Sequence, residues 1–529
     1  MREVSCSALL RGSRNRSAAV SFVVACLLCA GVVRAQTMPF QSSMRSTVGT
    51  GLGQQPMARG GTFIPRVDSA IQYVDNLNLA QDRKDIVSTW GLEAAPGVYA
   101  SYLSSTVTAA IDYAVVGRVW GDSDYNDVSQ RGMANGRWTA VPDLFYIDAL
   151  ASITDDVINV ADGIDYGGLG IFGQDNLSQQ ATASIRPTID KQFGDYSFLA
   201  QYAYGRVWYF DQGSDVNQIG FIGQDNSRDQ NAYVAFGNTG SERKLTGQVF
   251  YNWQKTDFDN ALPYNYEQLG MDLRWQFRPS MALTGQFGAE SDLAESTTQG
   301  GLDSNFWSVG LRWEPDSRTY AEARYGDRFF GHTYFLAIGR TTRMFEFEAS
   351  YDESPEVDTQ ILSLGDFTPG ELPPSVPPGT DFGRLNSDPY VAKNATVGVT
   401  AVGSRTRVSL QGFQFVRDYI RDPRYQPQTF RANETDTGGV FSVTRQLASN
   451  LSADFYTSYT NSEQTQLFFE GGVAFAAPYN YNDTQVIARL NRESLGGKII
   501  ASAEAGYLNR SGSEDYDGWW AGMRVRWYP

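Results

Sequence analysis

Hydrophobic and polar side chains alternate, one by one, along most of this chain. In FWSVGLRWEPDSRTYAEARYG (306–326), Trp307, Val309, Leu311 and Trp313 share one face while Ser308, Gly310 and Arg312 share the other. After a turn the pattern resumes, with Ala321, Ala323 and Tyr325 opposite Glu322 and Arg324. Successive side chains of a strand point to opposite faces, so a period of two predicts β-structure with one apolar and one polar face. The same period recurs at 107–115, 245–254, 268–277, 345–351 and 499–507. No single segment decides whether the apolar face meets protein or lipid.

The connections decide it. From Phe63 onward the alternating segments run about ten residues each, the length a tilted strand needs to cross a bilayer. Short turns are predicted at VPD (141–143), FGD (193–195), RPS (278–280), EPDS (314–317), GRTTR (339–343) and VGS (402–404). Longer polar stretches lie between them, at 155–180, 211–226, 291–304, 353–390, 420–437 and 461–482. Such sorting describes an all-β fold, a transmembrane antiparallel β-barrel with short periplasmic turns and long extracellular loops. A soluble sandwich or propeller has no reason to sort its loops this way. The expectation is about 22 strands over residues 63–529, an even count that puts both barrel ends in the periplasm. By length, 353–390 is the expected plug or lid.

The N-terminus changes the picture by fixing the compartment. Arg2, Arg11, Arg14 and Arg16 precede an apolar run from Ala18 to Val33, and Val33-Arg34-Ala35 offers a cleavage site. Residues 1–35 therefore read as a signal peptide. Residues 36–62, rich in Gly, Ser, Gln and Met, read as a flexible periplasmic segment. No apolar run long enough for a helical span follows, but a barrel needs only alternate residues apolar. The expected location is the outer membrane of a Gram-negative bacterium, with lipid and lipopolysaccharide as surroundings.

Cys6, Cys26 and Cys29 are the only cysteines, all within the signal, which excludes disulfides and thiolate metal sites from the exported part. The formal net charge is −16. A chain this acidic is a poor nucleic-acid binder, because phosphate contacts need clustered Lys and Arg.

The last strand, WWAGMRVRWYP, puts Trp519, Ala521, Met523, Val525 and Trp527 on one face. It resembles the C-terminal signal read by the outer-membrane barrel assembly machinery, an expected partner. Here Tyr528 and Pro529 follow the terminal aromatic, so the match is offset. The plain alternative is a final strand with an aromatic interface anchor.

If the apolar faces meet lipid, the polar faces line the lumen. The lumen-facing candidates are Asp112, Arg118, Asp272, Arg274, Arg312, Glu322, Arg324, Glu346, Glu348, Asp454, Glu504, Arg524 and Arg526. Mixed rings of charge set selectivity in a wide pore. The same residues can instead pair across strands and stiffen the wall. Trp120, Trp208 and Tyr209 stack on sugar rings in one reading and form an interface girdle in the other, which is preferred.

Catalytic chemistry finds little support. The one histidine, His332 in FFGHTYF, has no Gly-x-Ser-x-Gly elbow beside it and reads as a rim residue. GQDN occurs at 173–176 and 223–226, where Asp175 and Asp225 suit calcium as well as turn chemistry. No twelve-residue calcium loop accompanies them, so no metal, cofactor or enzymatic activity is predicted.

The stretch SNFWSVGLRWEPDSRTYAEARYGDRFFGHTYFL (304–336) resembles the outer-membrane barrel proteins associated with the PEP-CTERM/exosortase system. YVDNLNL (73–79) is similar to that family's first hairpin, and VPDLFYIDALASIT (141–154) to a turn-strand segment of it. The likeness covers residues 63–352. It implies a porin-like barrel associated with exopolysaccharide production or export, either a passive conduit or an assembly component, with exopolysaccharide and its export components as partners. The alternatives are a general diffusion porin for small polar solutes and, less favoured, a barrel enzyme dependent on His332.

Overall fold

The computed structural model describes residues 60–157, 177–210, 225–238, 244–259, 263–293, 301–357, 359–360, 364, 389–420, 434–470, 473–494, 496–513 and 515–529. The signal peptide, nearly all of the segment 36–62 and the first GQDN lie outside them. Within them the chain forms one 22-stranded sheet.

The first hairpin is β1 (Gly60–Val74) and β2 (Thr89–Leu103). Next come β3 (Val107–Trp120), β4 (Asp127–Val141), β5 (Phe145–Val157), β6 (Leu177–Phe193), β7 (Tyr196–Tyr209) and β8 (Ser227–Asn238). The middle of the wall is β9 (Leu245–Phe258), β10 (Tyr264–Arg278), β11 (Met281–Glu290), β12 (Ser304–Asp316) and β13 (Thr319–Arg328). It continues through β14 (Gly331–Thr341), β15 (Phe345–Glu356), β16 (Tyr390–Val402), β17 (Thr406–Tyr419) and β18 (Glu434–Ala448). The last four are β19 (Leu451–Glu470), β20 (Val473–Ser494), β21 (Ile499–Gly512) and β22 (Tyr516–Trp527). Each pairs antiparallel with its neighbour in sequence, and β1 closes the ring on β22, Val67–Val74 against Trp520–Trp527. Closure leaves no unpaired strand edge, which is what lipid demands of a sheet.

The two faces are as unlike as the alternation requires. Trp307, Val309, Leu311 and Trp313 all point outward and stay exposed, and Phe63 and Leu410 are 72% and 60% exposed in the isolated barrel. These side chains form the lipid face. The inner face is polar and packed: Asp68, Glu290 and Arg510 are essentially inaccessible. A Lys or Arg facing lipid at the midplane costs about 2–4 kcal/mol, which is reason enough for the charged rows to turn inward.

The short turns fall on the rim where β1 begins and β22 ends, the periplasmic one by the rule that such barrels keep short turns there. One expected loop is not a loop. Residues 461–470 and 473–482 belong to β19 and β20, whose register runs from Leu451↔Arg492 to Glu470↔Val473. Above the membrane both faces of a strand meet water, so its sequence loses the apolar row that would announce it.

Two connections fold inward. Asn76 adopts a left-handed φ of 60°, tolerated by Asn because its short side chain bonds locally. Its Oδ1 accepts from Ala80 N at 2.7 Å, and its Nδ2 donates to Ala80 O at 3.1 Å and to Asp517 O at 2.8 Å. That turn delivers Leu77 and Leu79 onto Trp120, Leu508, Tyr516 and Trp520 inside the wall. The second begins the expected plug, 353–390, of which 353–356 belong to β15, Tyr390 belongs to β16, and 358, 361–363 and 365–388 lie outside the described residues. Val357 is buried against Tyr264, Tyr266 and Leu293. Thr359 Oγ1 donates to Asp229 Oδ1 at 3.1 Å, Gln360 Nε2 donates to Thr256 Oγ1 at 2.9 Å, and Arg186 donates to Leu364 O. Asp229, Thr256 and Arg186 stand on β8, β9 and β6, so these residues leave β15 and reach wall strands far round the barrel.

Candidate functional site

The inner face carries two charge networks. The larger straddles the closing seam. Asp68 accepts from Arg526 Nε at 2.6 Å and Nη2 at 3.1 Å. Arg66 lies between Asp68, at 3.7 Å, and Asp112, at 2.5 Å. Glu93 collects three guanidiniums, Arg118 at 3.4 Å, Arg524 at 3.5 Å and Arg131 at 3.8 Å. Arg118 also reaches Asp127 and Asp155, each at 3.2 Å. On the other flank, Glu504 receives Arg489 Nε at 2.7 Å and Trp520 Nε1 at 3.0 Å, while Asn491 Nδ2 donates to Asp454 at 2.6 Å.

The second network lies toward the periplasmic ends of β10, β12 and β13. Glu314 bridges Arg312 at 2.5 Å and Arg274 at 3.0 Å. Glu322 takes Arg312 at 3.3 Å and Arg324 at 3.4 Å, and Arg324 lies over the Phe335 ring at 4.0 Å. Gln248 Nε2 donates to Asp272 at 2.9 Å. Glu346 meets Arg407 at 3.4 Å, and Glu348 stands in register with Gly339 and Gly398 on the same inner row.

Toward the opposite rim the lumen becomes aromatic. Buried Glu290 accepts from Arg328 Nη2 at 2.6 Å, Tyr266 Oη at 2.8 Å and Phe329 N at 3.0 Å. Arg417 and Tyr419 both reach Glu434, at 3.3 and 3.2 Å. Pairing is what makes so many buried charges tolerable, since an unpaired one costs several kcal/mol.

All thirteen lumen candidates named from sequence occupy inner-face positions in these registers. Most stand in ion pairs or hydrogen bonds with neighbours on the wall. Their partners Arg66, Asp68, Glu93, Glu314 and Arg489 escaped the sequence reading. The usable signal was like that in RVD (66–68), opposite charges two residues apart and therefore on one face.

Trp519, Met523, Val525 and Trp527 lie on the outer face of β22 with Ala521 between them. The girdle reading fits Trp208 alone of its three aromatics. Trp120 is buried on the inner face, and Tyr209, also inward, accepts from Gln180 Nε2 at 3.4 Å. His332 points outward at the rim, beside Asp327 and Tyr325, each at 3.2 Å, away from the lumen. Among the described residues, no three His, Cys, Asp or Glu side chains converge as metal ligands.

No protein-family model matches the chain, and no curated protein does either. Solved structures similar to it include the FrpB iron transporter from Neisseria meningitidis, at 9% identity and a TM-score of 0.47, covering 89% of this chain and 83% of that one. The siderophore receptor PirA from Pseudomonas aeruginosa is 11% identical, with a TM-score of 0.38 over 89% and 81% of the two chains. The ferric yersiniabactin uptake receptor FyuA from Yersinia pestis is 10% identical, with a TM-score of 0.38 over 89% and 81%. Likeness at this level says nothing about what this barrel carries.

Proposed function

We propose that this chain is an outer-membrane conduit for exopolysaccharide, acting with the PEP-CTERM/exosortase system and placed in the membrane by the barrel assembly machinery. The observation that carries the reading is the inner wall itself. Arg274–Glu314, Arg312–Glu314 and Arg407–Glu346 are ion pairs that stay partly exposed, so they supply hydrogen-bond donors and acceptors with little net charge, and aromatic side chains such as Phe335 stand among them. A hydroxyl-rich polymer suits such a wall. Its hydroxyls exchange hydrogen bonds with the paired charges, and the C–H faces of its rings pack on aromatics. The resemblance at 304–336 points the same way.

Single-channel conductance of the refolded mature chain in a planar bilayer tests this, after heat-modifiable gel mobility has shown a folded barrel. The expected result is a conductance that polysaccharide fragments block, together with reduced extracellular polysaccharide in cells lacking the chain. Steady conductance that fragments leave untouched, with normal polysaccharide output, would instead make it a diffusion porin.

A further inference from the structure

The lipid face is not uniform. Across β18–β21 it sinks into a trough of ≈ 540 Å³. The cross-strand rows explain why. One runs Val443, Phe455, Ala488, Ala505 and the next Arg445, Ala453, Leu490, Ala503. Ala488 and Ala505 in the first row, and Ala453 and Ala503 in the second, drop the surface below Phe455 and Leu490. All these side chains face outward, as exposed Phe455 and Leu490 show.

Arginines border the trough on its periplasmic side. Arg445 lines it directly. Arg492 stands one row nearer the turn, in register with Leu451 and Ala501, and Lys498 lies in the turn itself. Arg445 and Arg492 are exposed, and neither has a carboxylate partner among the described residues. Trp527, at the same rim on β22, is half exposed on the outer face, the position of an interfacial anchor. An outward guanidinium without a counter-ion at headgroup depth is complementary to a lipid phosphate.

We propose that the trough binds an anionic phospholipid of the periplasmic leaflet, one acyl chain lying over the alanines and the phosphate held by Arg445 and Arg492. Volume, apolar lining and charge all suit that one occupant, and the trough lies within the usual size range of a small-ligand site. A zwitterionic headgroup offers the same phosphate but brings its own ammonium, which offsets that charge beside the two guanidiniums, so a lipid of net negative charge is held more tightly.

The probe is phosphatidylglycerol, titrated against phosphatidylcholine onto the refolded chain in neutral detergent and counted by native mass spectrometry. The expected result is one phosphatidylglycerol retained in preference to phosphatidylcholine. R445Q combined with R492Q should weaken that retention about thirtyfold, given the contribution of each basic residue near a lipid surface. Ala503→Phe, which fills the trough, should abolish it while heat-modifiable mobility persists. If Ala503→Phe fails to fold, the charge variant alone decides. Equal retention of the two lipids, or undiminished retention by the charge variant, would overturn the proposal. So would a dimer that Ala503→Phe splits while no phosphatidylglycerol is held, since the trough would then be an interface between copies.

Discussion

Arg510 has no accessible surface, yet it is fully engaged. Its Nε and Nη2 each donate to Asp483 at 2.7 Å, and its guanidinium lies 3.9 Å from the Tyr481 ring and 5.3 Å from that of Tyr516. Arg510→Met would leave a carboxylate facing aromatic rings, which costs about 3–5 kcal/mol. Urea unfolding of the refolded barrel should show that loss, and Asp483→Leu added to it should restore most of the stability. A single variant within about 1 kcal/mol of the parent would mean that Asp483 finds water instead. At this scale the sequence reveals which residues face inward but not whom they meet. Alternation alone put Asp454 and Glu504 on the inner face. Their ties to Asn491 and Arg489 depend on register, which two strands set together. Glu93 was hidden further, because Gly91, Pro96 and Gly97 break the alternation around it.

Strands in this barrel share a device that only the paired structure reveals. An aromatic ring on one strand lies over a glycine directly opposite on the next, as with Trp120 on Gly91, Phe250 on Gly270 and Trp520 on Gly506. At Gly506 a Cβ would come within 2.1 Å of the Trp520 ring. Gly506→Val must therefore push the indole away, breaking its bond to Glu504 and its packing on the inner cluster around Leu77. The expected cost is about 1–3 kcal/mol, read as a lower temperature for loss of heat-modifiable mobility. Gly398→Ala is the control, since its nearest neighbour would be Leu410 O at 4.0 Å, and it should leave that temperature unchanged. If both behave alike, ring-over-glycine packing contributes nothing. The strands themselves were legible where one face meets lipid, because the membrane imposes a strict apolar row. Where β19 and β20 rise beyond it, and where Leu77 and Val357 turn inward on loops, tertiary contacts decide and local pattern is silent.

Taken whole, the barrel is electrically lopsided. The described extracellular connections carry Asp75, Asp82, Asp85, Asp122, Asp124, Asp225, Asp259, Asp292, Asp303 and Asp515 against Arg83 and Lys84. The described residues of the periplasmic turns include Lys244, Arg318, Arg343, Arg405 and Lys498 against Asp143 and Asp195. Fixed charge of opposite sign at the two mouths gathers cations at one and anions at the other, while the paired lumen between them adds little bias. Current through the reconstituted barrel should therefore depend on the sign of the voltage at about 0.1 M salt, where the screening length is about 10 Å. At about 1 M, where that length shrinks to about 3 Å, the curve should become nearly symmetric. Replacing Arg318, Arg343 and Arg405 together by Gln should reduce the low-salt asymmetry without changing the conductance at 1 M. Asymmetry that survives 1 M salt cannot come from fixed surface charge. It would point instead to a part that moves with voltage, and the inward segment tied to the wall through Thr359, Gln360 and Leu364 would be the first to restrain.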